Sequence, residues 1–424
     1  SATATTGPAT LTITGTATGL ANQTTTVALT VAASGGGGSG NVTLDYSACA
    51  AVSKPIWVAA QDGSGAWTRV TGTGDVYKFN VTSGKGGYAV TTANGAVNST
   101  TVSYFTQAEI TSAPIVFCTT SAGTRSATGT VAGLGQTDAA FVSMGGSLAT
   151  VTAASLNFTL NNMLSGQQDL VAYRTNFLAG PSTNDRAVIV RDLNPTSGAS
   201  VGTIDFGGSS AITPVSGTLT VTGGASGDQY FQSMSYLTGA ACTTAILYST
   251  SIGTSATLSA FGIPAASQRA TDFHQVFVTD ATGTTATRSV FATFHTFASQ
   301  SIALGAALPS PAITVLSGAA YKRLQAVVSI PSDYQTSASL TYSASSKSAS
   351  IVASFGYLGS ANATLAFPDF TGVSGFDATW LPTSSATVAA TFAVSGSSVP
   401  ITTPTFTFCT EGLKFKIATF TGAY

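Results

Sequence analysis

Nearly every patterned segment of this chain repeats apolar residues at every second position, and that alternation limits what it can fold into. A period of two places successive side chains on opposite faces of a strand, whereas an amphipathic helix needs a period near 3.6. Residues 11–14, 26–31, 56–60, 67–70, 76–81, 219–222 and 413–420 all read as strands, rich in Val, Ile, Thr and aromatic residues and bounded by Gly, Ser, Asn and Asp. Between two of them the run Gln61-Asp62-Gly63-Ser64-Gly65 has the chemistry of a tight turn, with glycine available for positive φ. Helical turns are expected only at 106–110 and 259–269. The predicted class is all-β.

Composition sharpens the reading. Charged residues make up 7% of the 424 positions, the hydrophobic fraction is 44%, and the net charge is −1. Disordered chains combine low hydrophobicity with high net charge, so this chain is expected to fold. Fifteen basic residues provide no stripe to neutralise phosphates, which argues against nucleic acid as a partner. No apolar run reaches the ~18 residues a membrane-spanning helix requires, so no membrane-spanning segment is expected. Ser1 is followed by neither a basic nor an apolar leader region, so any signal peptide lies outside this numbering.

Cys49, Cys118, Cys242 and Cys409 are widely spaced with no CxxC pair, an even set that reads as two structural disulfides formed in an oxidising compartment. Three pairings remain open. Pairing of Cys242 with Cys409 would tie the middle of the chain to its end. The predicted organisation is a sandwich domain over residues 1–122, ending in the small-residue stretch at 119–123, and a larger all-β region over 123–424 of one or two docked sandwiches. Trp57 between Cys49 and Cys118 resembles the Cys-Trp-Cys signature of immunoglobulin-like sandwiches, although Trp57 comes early and no tyrosine-corner Tyr precedes Cys118. The stretch IWVAAQDGSGAWTRV (56–70), with VYKFNVTSGKGGYAV (76–90), is similar to segments of uncharacterised exported bacterial surface proteins carrying immunoglobulin-like modules. That resemblance implies export and brings no activity.

Residues 1–33 hold two Thr-rich strands, followed by Ser34-Gly35-Gly36-Gly37-Gly38-Ser39-Gly40, the composition of a flexible tether. Strands so tethered can pair within their own sandwich or exchange onto the open edge of another subunit.

Candidate chemistry is sparse. His274 and His295, the only histidines, flank a predicted hairpin with Asp272 nearby, the makings of a two-histidine, one-carboxylate metal site, though packing roles are the expectation. The match Gly198-Ala199-Ser200-Val201-Gly202 precedes a strand, whereas an esterase elbow precedes a helix. No P-loop, dinucleotide fingerprint or EF-hand loop is present, so no cofactor is assigned. Asp185, Asp192, Asp205, Asp369 and Asp377 read as solvated turn and strand-end acids. Trp57, Trp67 and Trp380 suit a core better than a sugar platform. Sequons at Asn22, Asn41, Asn80, Asn98, Asn157 and Asn362 are expected in a chain this rich in Ser and Thr. The sequence thus predicts no catalytic, cofactor or metal site. It predicts a structural subunit of an extracellular filament or surface layer that assembles with copies of itself. A cell-surface adhesin that binds glycans is the alternative.

Overall fold

The computed structural model describes residues 7–15, 23–31, 40–111, 114–117, 125–164, 166–176, 183–239, 242–282, 285–399 and 409–424. The glycine-rich stretch 34–39, Cys118 and Asn22 lie outside them. The described chain is almost entirely β, as the alternation predicts. At its start β1 (Gly7–Gly15) and β2 (Gln23–Val31) form an antiparallel hairpin, where two Thr-rich strands were predicted.

The first sandwich comprises β3 (Val42–Asp45), β4 (Pro55–Asp62), β5 (Thr68–Arg69), β6 (Val76–Phe79), β7 (Lys85–Asn94), β8 (Val97–Thr106) and β9 (Ile115–Val116). Its sheet β6-β3-β9 faces the strands β5-β4-β7-β8 across a core of Val42, Leu44, Val58, Phe79, Tyr88 and Ile115. The second comprises β10 (Arg125–Ala132), β11 (Asp138–Met144), β12 (Ser147–Thr152), β13 (Asn157–Met163), β14 (Gln168–Asn176), β15 (Thr183–Leu193) and β16 (Ala199–Asp205), with β13-β10-β16 packed on β12-β11-β14-β15. The third comprises β17 (Val215–Thr222), β18 (Gln229–Thr238), β19 (Thr243–Gly253), β20 (Thr257–Gly262), β21 (Phe273–Thr282), β22 (Ala286–Phe294) and β23 (Gln300–Ala303), with β20-β17-β23 packed on β19-β18-β21-β22. One topology therefore occurs three times: the first strand of each sandwich pairs antiparallel with the fourth and parallel with the last.

The fourth sandwich departs from this plan. It comprises β24 (Ala312–Leu316), β25 (Arg323–Ser329), β26 (Ser337–Ala344), β27 (Lys347–Ser354), β28 (Asn362–Ala366), β29 (Ala389–Ser397) and β30 (Lys414–Ala423). Here β25 takes the first-strand role, pairing antiparallel with β28. The place beside it that a parallel last strand fills elsewhere is taken by β24, which comes from upstream and runs antiparallel.

Three sandwiches share one sheet. β22 pairs antiparallel with β30 and β27 pairs parallel with β8, giving a continuous order of β19-β18-β21-β22-β30-β29-β26-β27-β8-β7-β4-β5. β4 is covered on both faces, which explains why Trp57 to Ala60 is buried without a break rather than alternating. Val58 and Ala60 enter the first core, while Trp57 and Ala59 enter the core of the fourth sandwich.

The Cys242–Cys409 disulfide ties the β18–β19 connection of the third sandwich to the segment before β30 of the fourth, with Cα atoms 5.8 Å apart and 167 residues between the cysteines. Closing so long a loop stabilises by up to about 5 kcal/mol in the chain-entropy treatment. Cys49 is also disulfide-bonded. Gly63, at φ 58°, supplies the predicted left-handed turn residue. The helical turn expected at 106–110 is α1 (Gln107–Thr111). That expected at 259–269 shrinks to the 3-10 turn Ala265–Ser267, because β20 continues to Gly262. The strand expected at 67–70 is reduced to the two residues of β5.

Candidate functional site

The β21–β22 hairpin does bring His274 close to His295, but as packing. His274 is fully buried. Its Nε2 accepts the Ile263 amide at 2.9 Å and its Nδ1 lies 2.9 Å from the His295 carbonyl oxygen, to which it donates. Both ring nitrogens are committed, and burial pushes the imidazole down to about 4, so the ring is neutral near pH 7. His295 in turn donates from Nδ1 to the backbone carbonyl of Asp272 at 2.7 Å. Among the described residues no group of three or more His, Cys, Asp or Glu is arranged to hold a metal ion.

Asp272 points instead at Arg191. Its carboxylate accepts both terminal guanidinium nitrogens of Arg191 at 3.1 and 2.6 Å, the Tyr236 hydroxyl at 2.8 Å and the Arg269 amide at 2.8 Å. Burial opposes its ionisation, but these donors outweigh burial and hold the carboxyl below the usual carboxylate range. Arg191 also reaches buried Asp169 at 2.8 Å and the Ser267 carbonyl at 3.2 Å. Arg191 and Asp169 lie in the second sandwich and Asp272 in the third, so this buried cluster latches the two together. Asp192, at φ 58°, adds an exposed pair with Arg269. Asp185 and Asp192 are exposed, in keeping with solvated strand-end acids, and each has an arginine partner that is not its neighbour in sequence. Asp185 pairs with Arg174, and Arg191 bonds across sandwiches. A signal was available: in a chain with 7% charge, an Arg inside a strand pattern needs a partner.

A second kind of ionic cluster recurs. In the second sandwich Arg174 on β14 forks onto Asp185 on β15, donates to the Gly133 carbonyl at 2.7 Å and lies 3.8 Å from Asp138. In the third, Arg288 on β22 donates to Asp280 on β21 at 2.8 Å, to Asp228 at 2.9 Å and to the Gly223 carbonyl at 2.8 Å. Gly133 and Gly223 both have positive φ, 77° and 80°. The fourth sandwich has Lys416 of β30 on Asp333 at 2.6 Å.

The tryptophans meet at one place. Trp57 is fully buried, with its ring 5.1 Å from Phe370, 5.2 Å from Phe376 and 6.3 Å from Trp380, and its indole N–H donates to the Ser374 carbonyl. Trp67 packs edge-on against the same Phe370 at 5.2 Å. Trp57 therefore serves the contact between the first and fourth sandwiches, and not the core of its own sandwich as the immunoglobulin-like signature implies.

Ala199 to Gly202 lies within strand β16 itself rather than ahead of it, and Ser200 accepts the Gly202 amide. Asp205 and Asp377 accept backbone amides of nearby turn residues, and Asp369 pairs with Arg323. No helix among the described residues is long and apolar enough to cross a membrane. No protein-family model matches the chain, and no curated protein sequence matches it.

Proposed function

We propose that this chain is a structural subunit of an extracellular filament or surface layer, built to join copies of itself. The observation that carries the reading is the twelve-stranded sheet that fuses three sandwiches edge to edge. Backbone hydrogen bonding across sandwich boundaries resists bending and shear far better than the linkers that usually join domains, as a load-bearing subunit requires. The latch at Arg191 and the Cys242–Cys409 disulfide act in the same direction. Export to an oxidising compartment, where such a disulfide persists, fits the same role. A net charge of −1 lowers repulsion between subunits, and the β1–β2 hairpin is the coupling element. Glycan binding through tryptophan platforms is disfavoured, because these rings pack against one another and against Phe370 and Phe376.

Negative-stain electron microscopy of the full chain beside a chain lacking residues 1–33 tests the proposal. Ordered filaments or sheets that vanish on truncation are expected. Monodisperse particles of the full chain over a wide concentration range would refute it.

A further inference from the structure

We infer that the core of the third sandwich binds an ordered internal water, held between the side-chain amide of Gln232 and the Oδ1 oxygen of Asp280, as a fixed part of the Arg288 cluster. The inference is independent of the assembly reading above.

Gln232 lies on β18 between Tyr230 and Met234, on the side of the strand that faces the core, and is 1% exposed. Directly opposite it on β21 is Val278, another residue of that core. Neither Nε2 nor Oε1 of its amide has a hydrogen-bond partner among the described residues. An amide buried in this way gives up its bonds to solvent and gains none in return, so folded proteins satisfy such groups with protein atoms or with bound water.

A third unpartnered atom lies one step along the same face. Asp280 follows Val278 by two residues and is fully buried. Its Oδ2 takes the Nε and Nη2 of Arg288 from β22, whereas Oδ1 has no partner among the described residues. Arg288 cannot serve Oδ1, because all five of its N–H groups are committed to Oδ2 of Asp280, to Asp228 and to the Gly223 and Gly305 carbonyls. β21 runs between β18 and β22, so Gln232 and Asp280 are diagonal neighbours, roughly 7 Å apart at Cβ. The reach of the Gln232 side chain plus two hydrogen bonds of about 2.8 Å through a water spans that gap.

The donor and acceptor set selects the ligand. Nε2 donates, while Oε1 and an ionised Oδ1 accept. A cation would be opposed by Nε2 and an anion by the carboxylate, but water both donates and accepts. A buried water usually makes about three hydrogen bonds, and three unpartnered atoms converge here. Burial raises the Asp280 carboxyl, and water serves both of its forms, donating to the carboxylate and accepting from the acid.

A high-resolution crystal structure of the full chain, with oxygen-17 relaxation dispersion of the solvent in solution, tests the inference. A single density peak is expected within about 3 Å of the Gln232 amide and of Asp280 Oδ1. Gln232→Leu, folded by circular dichroism, is expected to lose one long-lived water from the dispersion amplitude. A Gln232 amide turned onto a protein partner, with no peak beside it, would overturn the inference. A peak with the roughly 2.0–2.6 Å contacts of a bound cation would do the same. Equal dispersion amplitudes in the two chains would also overturn it, and the crystal structure alone decides should Gln232→Leu fail to fold.

Discussion

The second and third sandwiches carry the same ionic device with opposite polarity. Arg174 sits on the fifth strand of its sandwich and Asp185 on the sixth, whereas Asp280 sits on the fifth and Arg288 on the sixth. Each arginine also donates to a glycine carbonyl just after the first strand and faces an aspartate that opens or precedes the second. In these two sandwiches the charge pair occupies the same place in the topology, and either strand can supply either sign. Burial is what separates the two. Asp280 and Asp228 are 0% and 1% exposed at the side chain, but Asp185 is 42% exposed. Breaking a buried pair strands an uncompensated charge, whereas solvent screens an exposed one.

The largest expected effect follows from that difference. Arg288→Met leaves Asp280 and Asp228 buried without their cation and is expected to destabilise by about 3–5 kcal/mol in urea unfolding. Arg174→Met should cost only about 1 kcal/mol, because Asp185 regains water. Equal losses would show that burial does not set the difference.

Acid sharpens the contrast next, since the second sandwich contains no histidine. His274 titrates near 4 when folded and near 6.5 when unfolded, so between those values the unfolded chain binds more protons. Its stabilisation is complete above pH 6.5 and is lost as pH falls towards 4, a change of about 3 kcal/mol. Unfolding free energies measured from pH 7 to 4 should show this slope, and His274→Gln should flatten it. Asp280 works in the opposite sense. Burial, joined by the neighbouring Asp228 charge, raises its carboxyl despite Arg288, so its contribution is greatest below the unfolded value near 4 and is lost as pH rises through the folded one. Asp280→Asn should therefore reduce the gain on mild acidification.

A polarity exchange tests the idea of interchangeable signs. Asp280→Arg with Arg288→Asp should recover about 2 kcal/mol relative to the sum of the single variants, read as a double-mutant cycle. The smallest effect is expected for the matching exchange at Arg174 and Asp185, within about 1 kcal/mol of the original.

This inversion also explains part of what the sequence hid. Strands, the Gly63 turn and the helical turn near Thr106 were legible because they depend on local periodicity and backbone preference. The threefold topology was not, because the paired charges swap strands and the strand lengths differ. The reach of Arg191 to Asp272 was equally hidden, since its nearest acid in sequence, Asp192, faces Arg269 instead. Trp57 was readable as a core residue but not as part of another sandwich's core, a matter of which face of β4 meets residues some 300 positions later. The candidate hairpin of His274 and His295 was located correctly, and its chemistry was decided by the Ile263 amide and two carbonyls that no spacing rule reveals.

The parallel seam between β8 and β27 has a consequence for how the molecule is made. Asn98 lies opposite Lys347, so the first sandwich presents an unsatisfied outer strand until roughly 250 further residues have emerged. During synthesis, that strand is a sticky intermediate able to capture the wrong neighbour. The β22–β30 pairing closes later still, once residues 414–423 have emerged. A chain held back from folding until β27 is available would reach the native pairing more reliably than one folding as it emerges.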